Sequence, residues 1–254
     1  VGPVKEIARR DALQVVAGLA SAAAVGTVAG RLGSTPSPTA LDTVPATADA
    51  VVHADVDALR RDEGMRTLAT AALQQHAQYR SADGAAERPA DIETLLSDVE
   101  SDLDTDPSTV HRATAFGDVG GDGDELFDGY AGVVLRAELS AEDVTSGLEN
   151  LDDVAFDELN ESGTVVYEPE SAGGPWVGAL GADRVVVGTE TAVYDAIDAT
   201  DGATAAVGDP LRSAYADTRE APVRFASRLP DPGRNEAVPT AVGSNGQSVD
   251  LRPF

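Results

Sequence analysis

Forty-four Asp and Glu side chains face 18 basic ones in a chain of 254 residues, leaving a formal net charge of −26. Self-repulsion on that scale opposes any compact state in dilute buffer, so it bears first on whether the chain folds at all. Low hydrophobicity with high net charge is the signature of disorder. Here, however, 42% of residues are hydrophobic, and they recur at helix and strand periods that a purely solvated chain has no use for. A folded protein is expected, in a solvent that screens the charge.

The choice of ionic residues says which solvent. Lys5 is the sole lysine, so 17 of the 18 basic residues are Arg, and the acids divide into 28 Asp and 16 Glu. In ~1 M salt the Debye length is about 3 Å, short enough to silence repulsion across a surface. Short-stemmed carboxylates hold hydrated cations, and guanidinium suits paired, fork-like contacts better than ammonium. This is the bias of a salt-in proteome, and the protein is expected to be halophilic.

The same charge argues against polyanionic partners. No Lys or Arg cluster outside the N-terminus would serve nucleic acid, so none is expected as a partner. The absence of cysteine excludes disulfides, thiolate zinc sites and a lipid-bearing cysteine.

The most specific local signal is Arg9-Arg10-Asp11-Ala12-Leu13-Gln14, followed by an uncharged stretch from Ala12 to Gly30 and then Arg31. Arg9, Arg10 and Leu13 resemble a twin-arginine export signal, with Ala12 and Gln14 where that pattern commonly has Phe and Lys. The stretch is 19 residues long but mostly Ala and Gly. Its six strong hydrophobes supply roughly −2 to −4 kcal/mol toward insertion before the polar residues offset them. No clean A-x-A site follows at the usual distance. Export is expected, with the export machinery as a partner; a cleaved signal and a retained membrane anchor both remain open.

Residues 1–32 are therefore read as export signal or anchor, and 33–42 as a Pro/Ser/Thr linker. Residues 43–230 are read as one folded domain and 231–254 as a loop-like tail. Val1 in place of a starting Met, with the loop-like end at Phe254, leaves both ends open to extension. Strands are expected at Ala50–Val56, Val110–Phe116, Tyr130–Leu139, Gly163–Tyr167, Trp176–Leu180, Arg184–Val187 and Val223–Ser227. Met65, Leu68, Ala69, Ala72, Leu73 and His76 fall on one helical face, as do Ile92, Leu95, Leu96, Val99 and Leu103. Further helices are expected from a Ser140–Asp143 capping box, from Thr189 to Gly202, and from an Asp209 N-cap with Pro210. The expected fold is α+β, a largely antiparallel sheet with helices packed on one face. Ala48-Asp49-Ala50-Val51-Val52 echoes Ala182-Asp183-Arg184-Val185-Val186, each running into a helix at matched spacing. That echo suggests a duplicated strand-helix unit.

Local chemistry is sparse. The loop Asp118-Val-Gly-Gly-Asp122-Gly-Asp124-Glu125-Leu-Phe-Asp128 is the best metal candidate, because glycine-loosened carboxylates suit calcium. Leu126 stands where an EF-hand needs an oxygen, and a lone Gly-rich copy falls short of a β-roll, so a solvated loop is the plainer reading of Asp118, Asp122, Asp124 and Asp128. His53, His76 and His111 form no H-x-H or H-E-x-x-H pair. There is no G-x-S-x-G elbow and no phosphate-binding glycine motif, and carboxylate pairs such as Glu168 and Glu170 are too common to inform. Trp176, between glycines, suits hairpin packing or a binding hot spot. No catalytic residue and no cofactor is expected.

Taken together, the Arg-Arg signal, the Thr/Ser/Pro linker and an acidic domain opening at Ala48-Asp49-Ala50-Val51-Val52 resemble uncharacterised haloarchaeal exported proteins. The resemblance implies a secreted or membrane-anchored location and no known activity. The leading expectation is a non-enzymatic cell-envelope or secreted binding or assembly module. The alternative is an extracytoplasmic hydrolase or metal-dependent enzyme with a dispersed site.

Overall fold

The structure is a computed structural model that describes residues 41–67, 70–71, 106–118, 129–149, 155–161, 163–171, 173–181, 183–228, 241–244 and 247–250. Its centre is an eight-stranded, wholly antiparallel sheet. The strands are β1 (Ala50–Asp55), β2 (Val110–Gly117), β3 (Ala131–Ala137), β4 (Phe156–Glu161), β5 (Thr164–Pro169), β6 (Trp176–Ala179), β7 (Arg184–Gly188) and β8 (Val223–Ser227). Their spatial order is β4-β5-β6-β7-β3-β2-β1-β8. The helices are α1 (Val56–Arg61), α2 (Ala141–Glu149), α3 (Glu190–Asp201) and α4 (Asp209–Asp217). This is the α+β class with a large antiparallel sheet that the sequence led one to expect.

Strand alternation splits the core into two layers. Val166, Val186, Val134, Phe116 and Val51 face one side and pack under Val193, Ala196 and Ile197 of α3 and Leu211 and Tyr215 of α4. Their neighbours Tyr167, Val177 and Val185 face the other side, under Leu148 and Val144 of α2. Expected on one face, the helices thus take one face with α3 and α4 and the opposite face with α2. α3 approaches closely because Gly178 has no side chain. A Cβ there would stand 3.0 Å from Val186 and 3.1 Å from Val193.

The helix punctuation is local and legible. Ser140 and Asp143 form the reciprocal capping box: Asp143 Oδ2 accepts from the Ser140 amide at 2.7 Å, and the Asp143 amide donates to Ser140 Oγ at 3.1 Å. α3 stops at Gly202, whose φ of 73° closes the C-terminal turn. α4 is capped one residue earlier than expected, by Gly208, which places Asp209 and Pro210 in the first turn.

Three expectations change. The acidic segment Phe156–Glu161, for which no strand was expected, is edge strand β4, with four of its six residues exposed. The segment read as a loop-like tail contains a two-stranded antiparallel hairpin, β9 (Ala241–Ser244) and β10 (Gln247–Asp250). The two echo segments both form a strand followed by a helix, yet Val51 lies in the α3/α4 layer while its counterpart Val185 lies in the α2 layer. Equivalent residues of a true repeat would share a side. The helix around Met65 is present over 63–67, while the one through Ile92 and Leu103 lies outside the described residues.

Candidate functional site

Cross-strand register arranges side chains in rows across the sheet. On the α3/α4 side one row reads Leu159, Val166, Gly178, Val186, Val134, Thr114, His53, Arg224, one residue from each strand in spatial order. It is apolar up to β3 and turns polar over β2, β1 and β8. The next row, one pleat nearer the β1 C-terminus, reads Arg184, Arg136, Arg112, Asp55 on β7, β3, β2 and β1. Together the rows build a polar corner holding four arginines and a histidine in a chain of net charge −26.

Arg224 is the buried member, 6% exposed. Its Nε donates to Thr218 Oγ1 at 2.8 Å and its Nη2 to the Tyr215 carbonyl at 2.6 Å, with the guanidinium over the Tyr215 ring. It therefore caps the C-terminal end of α4, where the helix dipole favours a cation. His53 sits beside it in register, its Nδ1 2.9 Å from Thr114 Oγ1 and its ring edge-on to Tyr215. Burial pushes the His53 pKa down to about 4, and Arg112 and Arg224 press in the same direction against Asp55. The imidazole is neutral at neutral pH. Burial likewise raises the Tyr215 phenol above its ordinary value, with Arg224 and Arg112 opposing.

The three remaining arginines are less satisfied. Arg136 Nε lies 2.9 Å from Asp183 Oδ2, and Arg184 Nε lies 3.7 Å from Asp183 Oδ1, so two guanidiniums share one carboxylate. Arg112 has no ion pair among the described residues. The carboxylate opposite it, Asp55, accepts the Ala58 amide at 2.8 Å as the N-cap of α1. Elsewhere the pattern is one acid to one arginine, Arg212 with Asp42 and Arg228 with Asp49.

The corner suits anion binding better than acid–base chemistry. His53 and Thr114 touch, but no carboxylate orients the ring through its other nitrogen among the described residues, as nucleophile activation requires. His111 belongs elsewhere: its Nδ1 is 3.0 Å from Asp57 and its Nε2 3.2 Å from Glu138. The two histidines have no partner in common, and His76 lies outside the described residues.

Of the loop acids, Asp118 is described at the end of β2, while Asp122, Asp124 and Asp128 lie outside the described residues. Burial and the neighbouring Asp49 raise the Asp118 pKa, with Arg228 opposing. No group of three or more metal-ligating side chains gathers among the described residues. Near Asp118 a separate network joins α3 to two segments before β1 and β3: Tyr130 Oη donates to Asp195 Oδ2 at 2.9 Å, and Thr47 Oγ1 donates to the same oxygen at 3.0 Å. Burial holds the Tyr130 phenol well above its ordinary value. Trp176 is half-buried and packs on Tyr194 of α3, ring centroids 5.7 Å apart, a contact between sheet and helix rather than within a hairpin. Arg9, Arg10 and Leu13 lie outside the described residues; within those described, no helix is long and apolar enough to cross a membrane.

Comparison with protein-family models, with curated proteins and with solved structures finds no match. Sequence reasoning singled out none of the corner arginines. Their signal was present but faint: Arg112 sits in mixed strand β2, Arg136 in the apolar run of β3 and Arg184 at the start of apolar β7, and only register brings them side by side.

Proposed function

We propose that this chain is a non-enzymatic binding module of a halophile's cell envelope, carried out of the cytoplasm by its N-terminal segment and binding through the arginine corner. One observation carries the binding half. Three arginines stand in register on neighbouring strands with Asp183 as their one paired carboxylate among the described residues, on a protein where acids outnumber bases 44 to 18. Surface charge that serves only solubility has no reason to collect the scarce sign in one place. The export half rests on Arg9, Arg10 and Leu13 ahead of the uncharged stretch.

Two experiments test it. Fractionating halophilic cells that express the chain with Arg9→Lys and Arg10→Lys should leave the protein in the cytoplasm; delivery outside the membrane at the unaltered level defeats the export reading. Mixing purified full-length protein with washed envelopes in molar KCl should give retention that Arg112→Gln with Arg136→Gln reduces several-fold. Equal retention of variant and parent removes the corner as the binding surface.

A further inference from the structure

We propose that the ligand of this corner is a carboxylate, seated between Arg112 and Arg136; the inference rests on the binding reading above and names its chemistry. The protein supplies its own template. Asp183 sets one carboxylate between Arg136 and Arg184 on the adjacent strands β3 and β7, reaching each through Nε. One strand over, Arg112 and Arg136 are cross-strand partners on β2 and β3, beside a register shift between Val110 and Arg112. Unlike Arg136 and Arg184, Arg112 has no carboxylate within ion-pair distance among the described residues.

Asp55, the acid opposite Arg112 on β1, is turned away to cap α1. His53, in the neighbouring row, is neutral and so neither repels an anion nor supplies a counter-charge. Arg136 is about half exposed and Arg184 about one-third, so the forks beyond Asp183 are open to solvent. Neighbouring strands lie about 4.8 Å apart, so the three arginines span roughly 10 Å across the sheet. That is room for a second carboxylate beside the one Asp183 provides.

The solvent narrows the chemistry. In molar salt a diffuse attraction between a basic patch and a polyanion is screened within about 3 Å. What survives is short-range, geometrically matched contact, and the planar guanidinium fork matches the two oxygens of a carboxylate. Such a carboxylate can come from a free small acid or from acidic side chains on a peptide.

Titration calorimetry on the full chain in 2 M KCl, with succinate, penta-glutamate, phosphate and sulfate as probes, separates these. Binding of penta-glutamate, with or without succinate, is expected, and the succinate result tells a peptide source from a free acid. Arg112→Gln should weaken it at least about tenfold, as loss of a charge-assisted contact does. Arg112→Lys should weaken it similarly, because the charge remains but the fork is gone. Arg212→Gln, at the distant Asp42 pair, should change nothing, and the melting temperatures of all three variants report that they fold. Tighter binding of phosphate or sulfate with the same dependence on Arg112 overturns the carboxylate while leaving the corner as a binding surface. Carboxylate binding indifferent to Arg112, or no binding by any probe, overturns the inference; the envelope-retention experiment then reads the broader proposal by itself.

Discussion

The guanidinium carbon of Arg224 lies 4.0 Å from the centroid of the Tyr215 ring, while Nη2 of the same side chain donates to the Tyr215 carbonyl. Strand β8 is thereby tied to the last turn of α4 through both the face of one residue and its backbone. A buried, charge-assisted hydrogen bond contributes about 1.5 to 3 kcal/mol, and a cation over an aromatic ring about 0.5 to 2 kcal/mol. Arg224→Met should cost about 2 to 4 kcal/mol and lower the melting temperature in molar KCl by several degrees. Arg224→Lys keeps the charge and loses the fork, and should fall between. A variant as stable as the parent would show that this cap is idle.

His53 gives the corner a pH signature. Its folded pKa, about 4, lies below the ordinary value of 6.5, so the unfolded chain takes up the proton first. The stability linked to this group is fully present above pH 6.5 and drains away as pH falls toward 4. At about 1.4 kcal/mol per pKa unit the ceiling is about 3 kcal/mol, and the partial solvent access of the ring brings the expected figure to about 1 to 2 kcal/mol. Unfolding free energy measured between pH 7 and 4.5 should slope downward in the parent and flatten in His53→Asn. An unchanged slope would assign the pH dependence to the carboxylates alone.

How much was legible before the structure follows from where each signal lives. Strands β1, β2, β3, β7 and β8 carry apolar alternation or β-branched runs, and α2 and α3 carry punctuation at Ser140, Asp143 and Gly202, all of it local in sequence. β4 was not legible because an edge strand with one polar face needs few apolar residues. Phe156-Asp157-Glu158-Leu159-Asn160-Glu161 buries only part of Phe156 and Leu159. The arginine corner was not legible for a different reason. Arg112, Arg136 and Arg184 are separated by dozens of residues, and each alone looks like an ordinary polar position of a strand. The strand order β7-β3-β2 is what makes them neighbours.

Gly178 sets the distance between α3 and the sheet. An added Cβ would meet Val186 at 3.0 Å, Val193 at 3.1 Å and Ile197 at 3.4 Å, all three in the tightly packed α3 layer. Gly178→Val adds branches as well, and must push α3 outward or force off-rotamer side chains, at about 1 to 3 kcal/mol. Gly178→Ala should cost less, since the valine methyls need give only a few tenths of an ångström. Thermal melts of the two variants in molar KCl should rank parent, Ala, Val in falling stability. A valine variant equal to the parent would mean that α3 is not held against β6 in this way.

The proposed adaptation to brine makes the most sweeping prediction. At a net charge of −26 the acids repel one another across the whole surface, and this repulsion is screened in molar salt but reaches about 10 Å at 0.1 M. Ion pairs such as Arg212 with Asp42 and Arg228 with Asp49 lie near the surface, and 18 basic residues against 44 acids cannot offset it. Circular dichroism followed while KCl is lowered from 3 M to 0.1 M should show loss of strand signal with a fall in melting temperature, reversible on return of salt. Because the excess charge is carboxylate, lowering the pH to about 4.5 at 0.1 M KCl should partly restore the fold by neutralising acids, against the smaller penalty from His53. A protein equally stable at both salt concentrations at pH 7 would refute the adaptation, and with it the argument that only short-range, geometrically matched contacts such as those of the arginine corner bind anions in its working solvent.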